Sequence, residues 1–278
     1  MSEINDFKKS ILEEYPRMDE NSKFCFRCHP GVPCFNDCCC DVNIFLTPYD
    51  IVRLKNKLGM TSDEFIKKYT LTPFDQNLKY PVLLLKMDET EKKACPLVSE
   101  KGCTVYSDRP WACRMYPLGM ASPDEKSSQG AEEKFFFLLK EDVCKGFDEN
   151  NEMNVKGWIE DQEIELYNKM GEGFKQITLH PFFQNPDSEP SPQKLEMFFM
   201  VCYNIDKFKE FVFESSFLEK FDVDADRVEK MRNDDAALLD FGYDWLKFSI
   251  FGENTVAIRT EVRDAKQKEI DKKKDGKK

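Results

Sequence analysis

Histidine is almost absent from this chain: His29 and His180 are the only two in 278 residues. A hydrolase built on a Ser-His or Cys-His pair is hard to assemble from that supply. His180, directly before Pro181-Phe182-Phe183, reads as structural. The sequence also has no G-x-G-x-x-G, no G-x4-G-K-[ST], no H-E-x-x-H and no G-x-S-x-G, the signatures of dinucleotide, P-loop, zincin and α/β-hydrolase sites. Catalytic residues therefore stay unknown. Long apolar runs are lacking too. Those at 81–85, 135–139 and 197–203 stop far short of the roughly 18 residues a bilayer span needs, so no membrane span is expected. Basic residues are outnumbered, 41 Lys plus Arg against 52 Asp plus Glu for a net charge of −11, which argues against a nucleic-acid partner. The start, Met1-Ser2-Glu3-Ile4-Asn5-Asp6, lacks the basic-then-apolar pattern of an export signal. The expected location is cytoplasmic.

What the chain has instead is cysteine, eleven of them. Ten lie between Cys25 and Cys144, and six of these between Cys25 and Cys40. Among reducing thiols such a cluster holds metal more often than disulfides, and the odd count weakens full pairing further. Cys202, amid Phe198, Phe199, Met200 and Val201, reads as a buried core thiol.

The local signals place most of these thiols on turns. Residues 3–14 have helical spacing of Ile4, Phe7, Ile11 and Leu12. From Phe24 to Asp41, Pro30, Gly31, Pro33, Asn36 and Asp37 interrupt the thiols with turn chemistry. Thr47-Pro48-Tyr49-Asp50 caps a helix that Gly59 stops, and Thr61 to Glu64 is a capping box opening another, to about Tyr69. Residues 80–87 and 134–140 fit buried strands. A short helix carries Trp111, Cys113 and Met115 and closes at Pro117, and 122–133 reads as a loop. Beyond Cys144 the pattern turns helical: 154–170, 192–203 behind Ser191, and 225–250. Gly171-Glu172-Gly173 reads as a helix stop, and the acids at 222–226 and 234–235 as solvated helix termini. Residues 185–192, with three prolines, form a candidate hinge.

Cys25-x2-Cys28 is a spacing that reaches one ion from a tight turn. In an extended chain the neighbours in Cys38-Cys39-Cys40 point to opposite sides. Either Cys38 and Cys40 then face one metal and Cys39 another, or the thiols surround a polynuclear cluster. Cys95, Cys103 and Cys113 sit on separate turns and join only if the fold returns them. Arg109 and Arg114 flank Cys113. They can donate hydrogen bonds to sulfur of a bound cofactor, or pair locally and pin the turn. His29, beside Cys28, is an awkward ligand.

Cys34-x3-Cys38-Cys39-Cys40, then Leu46-Thr47-Pro48-Tyr49-Asp50-Ile51, Cys95-Pro96-Leu97, Cys103-Thr104-Val105-Tyr106 and Arg109-Pro110-Trp111-Ala112-Cys113-Arg114-Met115-Tyr116-Pro117, resemble the YkgJ-type cysteine-cluster family. This is the CxxCxxCC zinc- or iron-chelating type, to which flagellin lysine N-methylases are related. The resemblance covers about residues 24–147, including Cys144-Lys145-Gly146. The sequence departs from a C-x2-C-x2-C-C opening by its wider Cys28 to Cys34 gap and its third consecutive thiol.

The resemblance implies a metal centre ligated among Cys25, Cys28, Cys34, Cys38, Cys39, Cys40, Cys95, Cys103, Cys113 and Cys144. An iron–sulfur cluster of 4Fe-4S type is expected, one or two of them or a larger one, with zinc as the alternative. The expected role is redox or electron transfer with a protein partner. The other readings are a structural zinc module and a cluster-containing methylase-like enzyme, for which no methyl-donor motif is visible. The expected fold class is α+β, a loop-rich cysteine-cluster region with few short strands followed by a mainly α-helical half. Its divisions are 1–150 (metal-binding), 151–258 (helical) and 259–278 (a charged, disordered tail with nine basic against five acidic residues).

Overall fold

Extended runs of only two to four residues between turn formers cannot build a large sheet, and in the computed structural model they pair into small antiparallel ladders. It describes residues 15–73, 79–121, 134–265 and 268. The proposed helix at 3–14 and loop at 122–133 lie outside these. Of the charged tail, residues 260–265 are helical, and beyond them only 268 is described.

The strands, in chain order, are β1 (Lys23–Cys25), β2 (Phe45–Leu46), β3 (Thr70–Leu71), β4 (Leu83–Leu85), β5 (Val98–Ser99), β6 (Gly102–Cys103), β7 (Leu118–Ala121), β8 (Phe135–Leu138), β9 (Glu152–Asn154), β10 (Phe221–Asp222) and β11 (Ala257–Ile258). They pair as β1–β9, β2–β4–β3, β5–β6, β7–β8 and β10–β11. The fold is α+β, with short strands and loops in the N-terminal half and helices in the C-terminal half. By contacts the chain divides into two units. The first draws its described residues from Met1–Leu46, Tyr69–Asn77 and Val82–Lys169, the second from Thr47–Lys68, Leu78–Pro81 and Met170–Lys278.

The first unit closes over a small core of Phe24, Phe26, Met115, Leu118, Phe136, Val155, Trp158 and Ile159, against which Cys144 and Tyr116 pack. Trp158 stands edge-on to Phe26, ring centroids 5.6 Å apart, and its indole N–H donates to the Arg114 carbonyl at 3.2 Å. In β7, Gly119 faces Phe137 so closely that any Cβ would collide with the ring.

Two buried arginines fix the turn between residues 106 and 114. Arg114 donates through Nε to the Arg109 carbonyl (3.1 Å) and through Nη1 to the Gln162 carbonyl (2.8 Å). Its Nη2 reaches the Ser107 carbonyl. Arg109 donates to the Tyr106 carbonyl at 2.5 Å and to the Gln162 side chain, with its guanidinium 3.8 Å from the Tyr106 ring centre. This explains a departure from the single helix expected over 154–170. The structure has two, Val155–Asp161 and Ile164–Thr178, separated where Glu163 turns left-handed (φ 53°). The chain breaks there and presents the Gln162 carbonyl to Arg114.

The second unit is helical. Thr47 and Asp50 cap the helix Pro48–Leu58 reciprocally, and Gly59 ends it left-handed at φ 64°. Thr61 and Glu64 form the second box, opening Ser62–Tyr69. Ser191 caps Pro192–Cys202, which buries Cys202. The expected 225–250 helix is broken at Asp234, which ends Ala225–Asn233 and caps Asp235–Leu246; a π-helical turn, Lys247–Phe251, follows. Glycines 171 and 173 do not stop a helix but lie within Ile164–Thr178, where Gly173 lets the Tyr243 ring approach closer than a Cβ would permit. The helices Pro181–Gln184, Ile205–Phe213 and Phe217–Lys220 were not expected. Trp245 packs on Phe217 and Phe221 at 4.9 and 5.0 Å. His180 is structural, accepting from the Phe182 N–H and stacking on Phe251 at 3.6 Å.

Asp235 is not a solvated terminus. It pairs with the buried Lys55 at 2.7 Å and with Lys209 at 3.3 Å, while Lys55 also meets Asp206 at 3.1 Å. Burial raises the Asp235 carboxyl, but the hydrogen bond and charge of Lys55, with Lys209, more than offset this and hold it below its ordinary value of 3.8. Its stabilising contribution is therefore complete above that value and is lost as pH falls through the lower folded one.

Two stability tests follow from these buried charges. Asp235→Asn is expected to destabilise by roughly 1–3 kcal/mol at neutral pH, and its gap from wild type should narrow as pH falls below about 4 in denaturant titrations. Arg114→Leu leaves three carbonyls without their donor and is expected to cost roughly 2–4 kcal/mol, read as a lower urea midpoint.

Candidate metal centre

All eleven cysteines are thiols. The fold distributes those of residues 28–144 to two sides of one tight turn. Asn36 adopts a left-handed conformation (φ 74°) and opens a 3-10 turn, Asp37–Cys39, after which Cys40 is extended. The run Cys38-Cys39-Cys40 is thus not the continuous extended segment expected. In a 3-10 turn successive side chains diverge by about a third of a revolution, yet the Cys38 and Cys39 thiols remain in hydrogen-bond contact.

On the first side, the Arg27 N–H donates to the Gly146 carbonyl at 3.0 Å and the Phe26 N–H to the Asn151 carbonyl at 3.1 Å. This brings the Cys28 strand end to the segment that carries Cys144. Gly146 is required for that approach, since a Cβ would lie 3.1 Å from the Arg27 carbonyl and closer still to the Phe26 ring. The Lys145 N–H donates to Cys34 Sγ at 3.0 Å, and the Asp37 N–H to the Cys34 carbonyl at 3.0 Å, which sets Cys34 between Cys144 and Cys38. Burial raises Cys28 to about 11, with the sulfurs of Cys38, Cys34 and Cys144 adding to the rise.

On the second side, Cys40 and Ala94 form an antiparallel bridge, and the Cys95 N–H donates to the Cys39 carbonyl at 2.7 Å. The loop leading there is shaped by Asp88, whose carboxylate accepts from the Thr90 and Ala94 N–H groups at 3.0 and 2.9 Å. The Val98 N–H then donates to the Cys95 carbonyl at 3.1 Å, and Val98 stands opposite Cys103 in the β5–β6 ladder. The helix Trp111–Met115, which carries Cys113, packs on β2. Burial raises Cys95, with Cys103 and Cys40 contributing. Cys39 is raised by its bond to Cys38, then by burial and the sulfurs of Cys38, Cys95 and Cys113. Burial also raises Cys103, against the pull of the Arg109 charge.

The two arginines stand beside this side but direct their hydrogen bonds to carbonyls and Gln162. They fix the turn from which Cys103 and Cys113 project. Cys25 lies on β1 opposite Glu152. Both nitrogens of His29 are engaged, Nδ1 by the Gly31 N–H at 3.1 Å and Nε2 with Glu149 at 3.1 Å.

Tyr116 is a residue whose role the sequence did not signal beyond its place in the Arg-Pro motif. Its hydroxyl is buried with no hydrogen-bonded nitrogen or oxygen, and its polar neighbours include the Cys144 and Cys38 sulfurs. Burial, then Cys144, raise the phenol.

Among the described residues, no three Cys, His, Asp or Glu side chains converge tightly enough to hold an ion. The donor chemistry nevertheless fits a thiophilic metal. Sulfur predominates among the neighbours, with the Asp37 and Glu141 carboxylates near Cys38; His29 is occupied, and the Tyr116 hydroxyl lies by the Cys144 sulfur. Among the described residues no helix is long and apolar enough to cross a membrane. No curated protein and no solved structure matches the chain. A family model does, CxxCxxCC, described as "Putative zinc- or iron-chelating domain", over residues 27–145. That span begins one residue before Cys28 and ends one after Cys144, so both thiol neighbourhoods fall inside it, and over these residues, less than half of the chain, the sequence is similar to that family.

Proposed function

We propose that residues 27–145 bind iron as cysteine-ligated clusters of 4Fe-4S type and that the protein works as a redox or electron-transfer protein, with a protein partner, in a reducing compartment such as the cytoplasm. The observation that carries this reading is the sulfur-rich donor set with hydrogen-bond donors directed at it. The Lys145 N–H donates to Cys34 Sγ, and the buried Tyr116 hydroxyl meets the Cys144 sulfur. Donors of this kind stabilise the multiply negative charge of a thiolate-bound cluster and raise its potential. Such a cluster, when bound, supplies one-electron chemistry. The chain's own residues hold it, shield it on the Cys144 side with the Phe26 and Phe147 rings, and fix its ligand-bearing turns through Arg109 and Arg114.

Structural zinc is the second reading. It is favoured by the β5–β6 ladder, only two residue pairs long, which a tetrahedral ion between Cys95 and Cys103 would staple.

The test is anaerobic purification followed by an ultraviolet–visible spectrum and iron, sulfide and zinc analysis of one sample. Broad absorption near ~400 nm with iron and sulfide in equal amounts, about four or more per chain, is expected. A colourless protein carrying about one or two zincs per chain would overturn the redox reading.

A further inference from the structure

We propose that the thiols serve two separate centres divided at the Cys38–Cys39 peptide bond. One takes Cys28, Cys34, Cys38 and Cys144; the other draws four ligands from Cys39, Cys40, Cys95, Cys103 and Cys113. This rests on the metal-centre reading above and deepens it.

Backbone geometry carries the division. The first set is held by bonds that all close on one segment. Arg27 to Gly146 and Lys145 to Cys34 tie residues 27–34 to Cys144, and Asp37 to Cys34 turns the chain so that Cys38 follows Cys34. The second set is held by different bonds. The Cys40–Ala94 bridge and the Cys95 to Cys39 hydrogen bond of 2.7 Å bring in Cys95, the β5–β6 register brings in Cys103, and packing of Trp111–Met115 on β2 brings in Cys113. Asp41 and Lys93, both left-handed (φ 50° and 45°), flank the Cys40–Ala94 bridge and pair through their side chains at 2.9 Å. The extended ladder therefore ends at once, and Cys40 cannot slide toward the first set.

The nine thiols held on these two backbone frameworks exceed the four ligands that one tetrahedral ion takes, so a single mononuclear centre does not account for them. The Cys38 and Cys39 thiols still touch, through a hydrogen bond across the division. The two centres are therefore adjacent, with ligands on either side of one peptide bond. Cys25, on the β1–β9 ladder, and Cys202, buried in a helix of the second unit, belong to neither.

The full-length protein purified anaerobically should contain two centres per chain: about eight irons for two four-iron clusters, or about two zincs if the metal is zinc. Cys34→Ser/Cys144→Ser and Cys95→Ser/Cys103→Ser should each retain about half of the wild-type metal. Cys25→Ser and Cys202→Ser should retain all of it. In the iron case the reduced wild type should show an electron paramagnetic resonance spectrum broadened by coupling between two neighbouring spins, and each double variant an uncoupled one. Loss of all metal from either double variant, with the helical circular dichroism intact, overturns the division, as does a wild-type content of about four irons or one zinc. If a double variant fails to fold, the wild-type metal count and spin coupling decide. Two zincs, halved in each variant, would sustain the division while overturning the redox reading, so the two failures are distinguishable.

Discussion

A turn with three residues per revolution sends each side chain about 120° from the last, and in this protein that rotation acts on two adjacent thiols. Cys38 and Cys39 stand at the end of Asp37–Cys39 and leave it in different directions. Everything arranged around the turn meets one of those directions or the other: the segment from Cys144 to Gly146 on one side, and the loop through Cys95 and Cys103 on the other. The turn is opened by Asn36, in a left-handed conformation that asparagine adopts more readily than most residues. Its side chain donates to the Ser99 carbonyl at 3.0 Å, so the residue that opens the turn also fixes it to the β5–β6 hairpin.

A turn of this kind has little stability of its own, and the ladders beside it are too short to supply much. Rigidity comes from the buried polar and aromatic contacts behind it. Arg114 gathers carbonyls from residues 107, 109 and 162, and Trp158 closes on the Arg114 carbonyl and the Phe26 ring. Three carbonyls and the Glu163 carboxylate at 3.4 Å satisfy the buried guanidinium, at the cost of interrupting a helix at Gln162 and Glu163. That interruption is the structural reason the segment following the cysteine region is two helices.

Features set by neighbouring residues were legible in the sequence. The Thr47–Asp50 box, the Gly59 stop, the Ser191 cap and the apolar runs around Leu83–Leu85 and Phe135–Leu138 each depend on residues a few positions apart. The α+β class followed from them, and the cysteine spacing with its Arg-Pro motif pointed to the family. What escaped was set at long range. The helix break at Glu163 has its cause at Arg114, 49 residues earlier. Gly173 reads as a stop until Tyr243 is placed against it, and Asp235 reads as solvated until Lys55 arrives from a helix far back in the chain. The grouping of thiols depends on the pairing of Cys40 with Ala94 and of Arg27 with Gly146, which spacing alone does not encode. Tyr116 was visible as part of a motif, but its significance lies in having no nitrogen or oxygen partner, a property only the packed structure has.

The same packing bears on how the thiols are suited to metal. Arg109 and Arg114 are bonded to carbonyls, an amide oxygen and the Glu163 carboxylate, so most of the compensation for thiolate charge must come from elsewhere. The donors directed at sulfur are backbone N–H groups and a phenol, none of which carries a charge. Half-buried thiols raised by burial and by neighbouring sulfurs, as Cys28 and Cys95 each are, are poor sites for several bare thiolates. They become favourable once a cation or cluster supplies the positive charge, because metal binding replaces protons on the ligands and couples that exchange to the local fold. A chain with a net charge of −11 strengthens the argument, since its overall field adds to the cost of uncompensated anions. The constraint that separates Cys38 from Cys39 therefore also limits how much negative charge one centre must concentrate. It divides the thiols between two sides, each with its own hydrogen-bond donors and its own anchoring segment.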